Sequence, residues 1–90
     1  MIENYGAYQF RYCHDVASPG KVRVYIESQP SYNGRPSDSA STHRIPSSNG
    51  APPHICIKED CKPESLSEAK NLAHRWAQSN DNYRRTGRFS

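Results

Sequence analysis

The chain has 90 residues, of which 33% are hydrophobic, and it carries twelve Lys and Arg against nine Asp and Glu. This length allows one domain with a small core, because a chain so short buries only about 60% of its unfolded surface. The net charge of +3 favours an anionic partner without requiring one. No apolar run is long enough to span a membrane, and the N-terminus lacks the apolar segment of a secretory signal, so we expect neither.

The cysteine count bears on the compartment. The chain has three cysteines. An odd number is unusual for a secreted disulfide scaffold, in which cysteines pair. We therefore expect a cytoplasmic protein whose thiols are free or bind a metal ion.

The N-terminal third of the chain predicts a mobile leader followed by a β-hairpin. Residues 1–6 are interpreted as the leader. Residues 7–13 and 21–29 alternate apolar with polar side chains, which is typical of half-buried strands. A Pro-Gly turn signal at positions 19 and 20 lies between them, and the short connection makes the two strands antiparallel.

Residues 30–53 predict a long irregular loop, because they are rich in Ser, Pro, Asn and Gly and poor in apolar residues. Within this loop only residues 41–45 have the character of a short strand. A loop of this length in a compact domain is usually functional or disordered. Residues 54–58 predict a further short strand, with Ile55 and Ile57 on its apolar face.

Residues 65–87 carry the clearest structural pattern, that of one amphipathic helix. Ser65 and Glu68 fit a capping box at its start, and apolar side chains then recur at helical spacing. Gly87 supplies the residue that ends many helices in the left-handed conformation. Residues 88–90 are left as a tail.

These elements predict a single α+β domain over residues 1–90. Its sheet has three to four antiparallel strands packed on one C-terminal helix, with the long loop before the last strand. The predicted core consists of Tyr8, Phe10, Tyr12, Val22, Val24, Ile26, Ile55, Ile57, Leu66, Ala69, Leu72, Ala73 and Trp76.

The alternation also predicts what the opposite face of the sheet carries. Arg11, Arg23 and Lys58 would lie there around the ring of Tyr25. Cations that meet phosphates and a ring that stacks on bases are what a nucleic-acid surface needs. The alternative interpretation is a solvated sheet face whose cations keep the protein soluble.

Two further segments predict contacts to a larger partner. In the loop, Tyr and Arg flank an Asn-Gly turn signal, and these residue types are the usual anchors of protein interfaces. The basic C-terminus suits a phosphate backbone or an acidic protein groove. The alternatives are a disordered tether for the loop and interaction with the helix dipole for the C-terminal arginines. The predicted partner-binding residues are Tyr32, Arg35, Arg44, Arg84, Arg85 and Arg88.

The cysteines and histidines permit one candidate zinc site, formed by Cys13, His54, Cys56 and Cys61. Because the set lacks a second close cysteine pair, free thiols are the alternative. For catalysis, Cys13 and His14 are adjacent on a predicted strand and point to opposite faces, so they cannot form a nucleophile and base pair unless the strand ends before them. We therefore expect no enzyme activity and, zinc apart, no cofactor.

The order of strands followed by a helix that opens with Ser65 to Lys70 (SLSEAK) resembles the three-stranded-sheet-plus-helix domains of phage integrase arm-binding and plant AP2-type proteins. The resemblance implies a sheet in the DNA major groove, with Arg11, Arg23 and Lys58 at the positions of basic strand residues that read DNA. Here a long loop replaces the short hairpin of those families. In size and style the chain is also similar to small stand-alone proteins of phages and mobile elements, including inhibitors of host defence systems.

The resulting functional hypothesis is a non-enzymatic binding module, a small accessory or inhibitory protein that engages a larger protein or nucleoprotein complex. The first alternative is a domain that binds double-stranded DNA through its sheet. The second is a small zinc-stabilised module. The identity of the partner and the oligomeric state are left open by the sequence.

Overall fold

A computed structural model describes all residues from Met1 to Ser90. It confirms the predicted α+β class: a C-terminal helix packs on an antiparallel sheet of five strands, which exceeds the three to four expected. The sheet order is β1-β2-β3-β5-β4. The elements in chain order are β1 Ile2–Tyr5, β2 Tyr8–His14, β3 Val22–Ser28, α1 Ser39–Thr42, β4 Arg44–Ile45, β5 His54–Ile55, a 3-10 turn Glu59–Cys61 and α2 Leu66–Thr86.

The first strand corrects the prediction of a mobile leader at residues 1–6. Strand β1 forms an edge of the sheet and pairs antiparallel with β2. The pairing extends to the terminus: the Met1 ammonium donates to the Tyr12 carbonyl at 3.1 Å, and the Tyr12 N–H donates to the Met1 carbonyl at 2.8 Å. Four residues are too few for a period of two to be recognised in a sequence.

Side chains on the inner face of β1 attach it to the long helix. The Glu3 carboxylate accepts a hydrogen bond from the Tyr12 hydroxyl at 2.6 Å and lies 3.1 Å from Nε2 of His74 on α2. The ring of Tyr5 stacks on the same imidazole, with 4.0 Å between ring centroids. The two contacts with His74 join residues about seventy positions apart, so no local sequence pattern predicts them.

The central hairpin forms as predicted. Strand β2 pairs antiparallel with β3, and a register shift occurs between Gln9 and Phe10. The inward side chains Tyr8, Phe10, Tyr12, Val24 and Ile26 are all buried. Strand β5 is shorter than the predicted strand at 54–58, because only its first two residues pair with neighbouring strands.

The long helix has the predicted cap residues, but the capping box is formed only in half. The Ser65 hydroxyl accepts from the Glu68 N–H at 3.2 Å, as expected. The Glu68 carboxylate accepts from the Glu64 N–H at 2.8 Å and not from that of Ser65. At the other end Gly87 adopts a φ of 82°, and its N–H donates to the Tyr83 carbonyl at 2.8 Å. The helix therefore begins and ends where the sequence indicates.

The core is built from rings on the sheet and small residues on α2. Trp76 lies edge-on to Tyr8 and Phe10, with centroid distances of 5.9 and 6.2 Å. The buried alanines Ala69, Ala73 and Ala77 have no bulk to hold the helix away from the sheet. Four predicted core residues are less buried than expected: Leu66 is 41% exposed because it lies in the first turn, and Val22, Ile57 and Leu72 are only partly buried.

The loop at residues 30–53 is more ordered than predicted. It contains the single helical turn α1, in which the Asp38 carboxylate caps the N–H of Ser41 at 3.1 Å. His43 follows in the left-handed conformation, and strand β4 then pairs with β5. The strand predicted at 41–45 is therefore confined to its last two residues, because Ser41 and Thr42 belong to the helical turn.

A buried polar network holds this loop to the rest of the molecule. The Asn80 side chain on α2 is fully buried. Its Oδ1 accepts from the Tyr32 hydroxyl at 2.8 Å, and its Nδ2 donates to the Tyr8 hydroxyl at 3.0 Å. The Tyr8 hydroxyl in turn donates to Asp81 at 2.6 Å. One carboxamide thus connects the loop, strand β2 and the helix.

We expect Asn80→Ala to lower the free energy of unfolding by about 2–4 kcal/mol, because it removes two buried hydrogen bonds and leaves a small cavity. Asn71→Ala is the matched control, since Asn71 is an exposed asparagine on the same helix. It should change stability by less than about 0.5 kcal/mol. Urea denaturation of the three proteins measures the difference, and equal effects of the two substitutions would contradict the role assigned to Asn80.

A second network fixes the connection between β5 and α2. The Asp15 carboxylate is almost fully buried and lies 3.1 Å from Nη2 of Arg23 and 3.0 Å from Nζ of Lys62. Burial alone would raise the pKa of Asp15, but the hydrogen bond from Lys62 and the charge of Arg23 hold that pKa below its ordinary value. The pKa of Glu3 is lowered in the same way, because the hydrogen bonds from Tyr12 and His74 outweigh burial.

These lowered carboxyl pKa values predict acid sensitivity. A carboxylate whose pKa is lower in the folded state stabilises the fold above its unfolded pKa, and that contribution is lost as the pH falls through the folded pKa. Stability should therefore decline below about pH 4. Asp15→Asn should be less stable at neutral pH and should show a shallower acid decline, whereas Asp60→Asn, at an exposed carboxylate without an ion pair, should follow the unaltered protein. Urea titrations across this pH range test both expectations.

Candidate functional site

The predicted partner-binding residues lie together where the long loop meets the C-terminal end of α2. The loop reaches this point through the Tyr32–Asn80 hydrogen bond and through the Tyr83 hydroxyl, which donates to the Pro36 carbonyl at 2.6 Å. The five arginines gathered around this junction are called the arginine cluster here: Arg35, Arg44, Arg84, Arg85 and Arg88.

Arg35 acts as a cap for the end of the helix. Its Nε donates to the Arg84 carbonyl at 3.0 Å, and its Nη2 donates to the Arg85 carbonyl at 3.1 Å. The last carbonyls of a helix lack partners within the helix and carry a partial negative charge, so a guanidinium is well placed there. The half-buried Arg35 side chain therefore has a structural role, since its guanidinium bonds to the end of the helix.

Tyr32 and Arg44 are also engaged within the chain, which corrects their interpretation as exposed anchors. Tyr32 is 9% exposed, and its ring lies edge-on to Tyr83 with 5.8 Å between centroids. The Arg44 guanidinium lies 5.1 Å from the centroid of the Tyr32 ring and donates to the Gln29 side chain at 3.0 Å. Both residues position the loop, so the surface of the cluster is left to the other arginines.

The charge of the cluster is poorly compensated. Arg84 donates to the Ser31 carbonyl at 2.7 Å and has the only carboxylate within ion-pair distance, that of Asp81 at 3.7 Å. Arg85 and Arg88 are exposed and have no carboxylate partner. Arg85 bonds only to the Asn82 side chain, at 3.2 Å. An excess of positive charge thus remains at this end of the molecule.

The C-terminal tail is folded back beside the cluster. The Asn82 side chain donates to the Arg88 carbonyl at 2.9 Å. The ring of Phe89 stacks on His43 at 4.5 Å and lies 6.3 Å from the ring of Trp76. The backbone that carries Arg88 is therefore fixed on both sides, while its guanidinium points into solvent.

The outer sheet face is less basic than predicted. Arg11 lies 2.6 Å from the Glu27 carboxylate, and its guanidinium covers the Tyr25 ring at 4.4 Å from the centroid. Arg23 is paired with the buried Asp15. The remaining predicted cation, Lys58, is exposed but lies outside the strands, just before the 3-10 turn. The charges and the ring that would meet a nucleic acid are thus mostly occupied within the chain.

The structure does not assemble the candidate zinc site. The cysteines Cys13, Cys56 and Cys61 are free thiols. Nowhere do three or more His, Cys, Asp or Glu side chains come together in a group that could hold a metal ion. His54 and Cys56 are neighbours on the β5 segment, but the other two proposed ligands come from β2 and the 3-10 turn.

No family model, curated protein or solved structure matches the chain. The resemblance to integrase arm-binding and AP2-type domains stays a prediction. None of the helices combines the length and the apolar character needed to cross a membrane.

Gly87 should be required at the edge of the cluster. A Cβ at this position would lie 2.8 Å from Nη1 of Arg35, and its φ of 82° is unfavourable for other residues. Gly87→Ala should therefore cost the strain of that conformation, about 1–2 kcal/mol, plus about 1 kcal/mol for the disturbed Arg35 hydrogen bonds. Thermal or urea denaturation measures the loss.

The matched control is Gly50→Ala, because Gly50 has a φ of 79° and open space around its Cα. It should show the conformational cost alone. In an Arg35→Ala background, Gly87→Ala should fall to the cost of the control. A Gly87→Ala effect that is unchanged in that background would contradict the contact with Arg35.

Proposed function

We propose that this chain is a non-enzymatic binding module, a small accessory or inhibitory protein that engages an acidic surface of a larger protein or nucleoprotein complex through the arginine cluster. The observation that supports the proposal is the gathering of five arginines at one helix end with Asp81 as their one carboxylate partner. The fold uses the charge of Arg35 and Arg44 internally, whereas Arg85 and Arg88 are exposed and free to meet another molecule.

The geometry of the cluster suits an acidic partner. Guanidinium groups bind carboxylates through paired hydrogen bonds, and an uncompensated patch of one sign speeds association with a patch of the other. The capped end of α2 fixes the backbone at Arg85, and the tail contact to Asn82 fixes it at Arg88. Because their backbone is fixed, less ordering is needed when a partner binds.

A protein partner is favoured over a nucleic acid. Single-stranded nucleic acids bind basic surfaces that also offer aromatic rings for stacking. Beside the cluster, the rings of Tyr32 and Tyr83 are buried, and the Phe89 ring is already stacked on His43. For a duplex, the predicted surface is the outer sheet face, where Arg11 and Arg23 are paired with carboxylates. The small size of the chain agrees with an accessory or inhibitory role of the phage or mobile-element type.

Fluorescence anisotropy with a labelled oligoglutamate peptide and a labelled DNA duplex of matched charge tests the proposal. The double variant Arg85→Glu/Arg88→Glu should bind the peptide at least about tenfold more weakly than the unaltered chain. The control Arg75→Glu, an exposed arginine on the same helix without an ion pair, should change binding less than about twofold. The peptide affinity should fall as salt rises from about 50 to about 200 mM.

Two outcomes would overturn the proposal. Equal weakening by Arg75→Glu would show that only net charge matters and that the cluster has no special role. Tight duplex binding that survives Arg85→Glu/Arg88→Glu but is lost in Arg11→Glu would move the function to the outer sheet face. Circular dichroism of each variant confirms that it is folded before binding is compared.

A further inference from the structure

A cleft of about 200 Å³ opens beside strands β3 and β5, and no residue of the arginine cluster lines it. Its walls combine four apolar side chains with five polar ones, so a ligand that fits it needs both an apolar part and a polar group. The apolar part consists of Val22, Ile45, Ile55 and Ile57. The polar part consists of Asp15, Arg23, His54, Cys56 and Lys62.

Arg23 is the group in this cleft with unused hydrogen-bonding capacity. Its Nη2 donates to Asp15 at 3.1 Å, and its Nη1 makes a long contact of 3.4 Å to the Tyr25 hydroxyl. Its Nε is buried and has no hydrogen-bond partner. A guanidinium has five N–H donors, and each terminal nitrogen of Arg23 therefore keeps a second N–H for which the chain supplies no acceptor. An acceptor group in the cleft would bind these terminal donors.

The neighbouring groups leave a positive charge for such an acceptor to meet. Lys62 is fully engaged: its ammonium contacts Asp15 at 3.0 Å, Glu59 at 3.1 Å and the Ser18 hydroxyl at 2.8 Å. Asp15 is therefore shared between two cations, and Arg23 is only partly neutralised. Burial and the charge of Arg23 hold the pKa of His54 below its ordinary value, so its ring is neutral at pH 7.

We propose that this cleft binds a small monocarboxylate with a short branched apolar chain. The carboxylate accepts hydrogen bonds from the Arg23 guanidinium, and the apolar chain packs on Ile45, Ile55 and Ile57. A volume of about 200 Å³ holds about seven water-sized groups, which limits the ligand to the size of a short branched acid. This inference is independent of the proposed function, because the two sites share no residue.

The test is NMR titration of the ¹⁵N-labelled chain with isovalerate, its neutral amide isovaleramide, and inorganic phosphate. Isovalerate should shift the amide signals of Ile55 and Cys56 in a saturable way at millimolar concentration, as the few atoms of the ligand allow. Isovaleramide and phosphate should each bind at least about tenfold more weakly, because one lacks the charge and the other lacks the apolar chain.

Variants at the mouth of the cleft locate the binding, and one variant of the ion pair tests the guanidinium. Ile45→Trp should fill the mouth of the cleft and abolish the shifts, whereas Val16→Trp, at a residue 90% exposed and outside the cleft, should leave them unchanged. Arg23→Lys keeps the charge but removes the guanidinium and should weaken binding about tenfold. Arg85→Glu/Arg88→Glu should have no effect, which separates this site from the arginine cluster.

A chemical readout covers the case in which the Arg23 variant fails to fold. Isovalerate should slow the alkylation of Cys56, which lines the cleft, but not that of Cys61, an exposed thiol outside it. The proposal is overturned if isovaleramide binds as tightly as isovalerate, if Ile45→Trp binds normally, if both thiols are protected equally, or if no saturable shift occurs.

Discussion

The hydrogen bonds of Asn80 are the constraint on which the rest of the structure depends. This fully buried carboxamide joins the hydroxyls of Tyr8 on the sheet and Tyr32 in the loop. A buried polar group is costly unless its partners are present, so the fold favours the placement of the loop that brings the Tyr32 hydroxyl to Asn80. That placement brings Arg35 to the carbonyls at the end of α2 and sets Arg44 over the Tyr32 ring. The position of the arginine cluster follows from a contact in the core.

The same principle explains how a chain with little apolar material forms a core. Much of its buried volume is tyrosine, whose ring contributes apolar area and whose hydroxyl then needs a partner. Each buried tyrosine hydroxyl has one: Tyr8 donates to Asp81, Tyr12 to Glu3, Tyr32 to Asn80 and Tyr83 to the Pro36 carbonyl. Burial, together with the carboxylate partners of Tyr8 and Tyr12, raises the pKa of both hydroxyls above the ordinary value. These bonds attach β1, the loop and α2 to the sheet at defined points.

Elements long enough to show a repeating pattern of apolar residues were predictable from the sequence, and elements defined by distant contacts were not. The hairpin strands and the helix at 65–87 follow from alternation, helical spacing and caps, all of which are local. Strand β1 is short, and its partners lie on β2 and at His74. The order of the loop depends on Asn80, forty-eight positions beyond Tyr32. The available signal was a polar residue in the apolar stripe of the helix, between Trp76 and Tyr83. At the candidate site, charge alone indicated Arg85 and Arg88, but the capping role of Arg35 needs the folded geometry.

An arginine that is paired with a carboxylate of its own chain attracts an anionic partner less strongly than an unpaired one. Arg11 and Arg23 lie on the face that the strand pattern marks as basic, yet each is paired with a carboxylate of the same chain. A nucleic acid would have to replace those pairs, which would leave Glu27 without a partner and the buried Asp15 with Lys62 alone. At the end of α2, Arg35 neutralises the helix carbonyls, and Arg85 and Arg88 then face solvent without any such cost. The two surfaces therefore differ in whether carboxylates of the chain neutralise their arginines, and not in how many arginines they carry. This difference favours the arginine cluster as the place where an acidic partner binds.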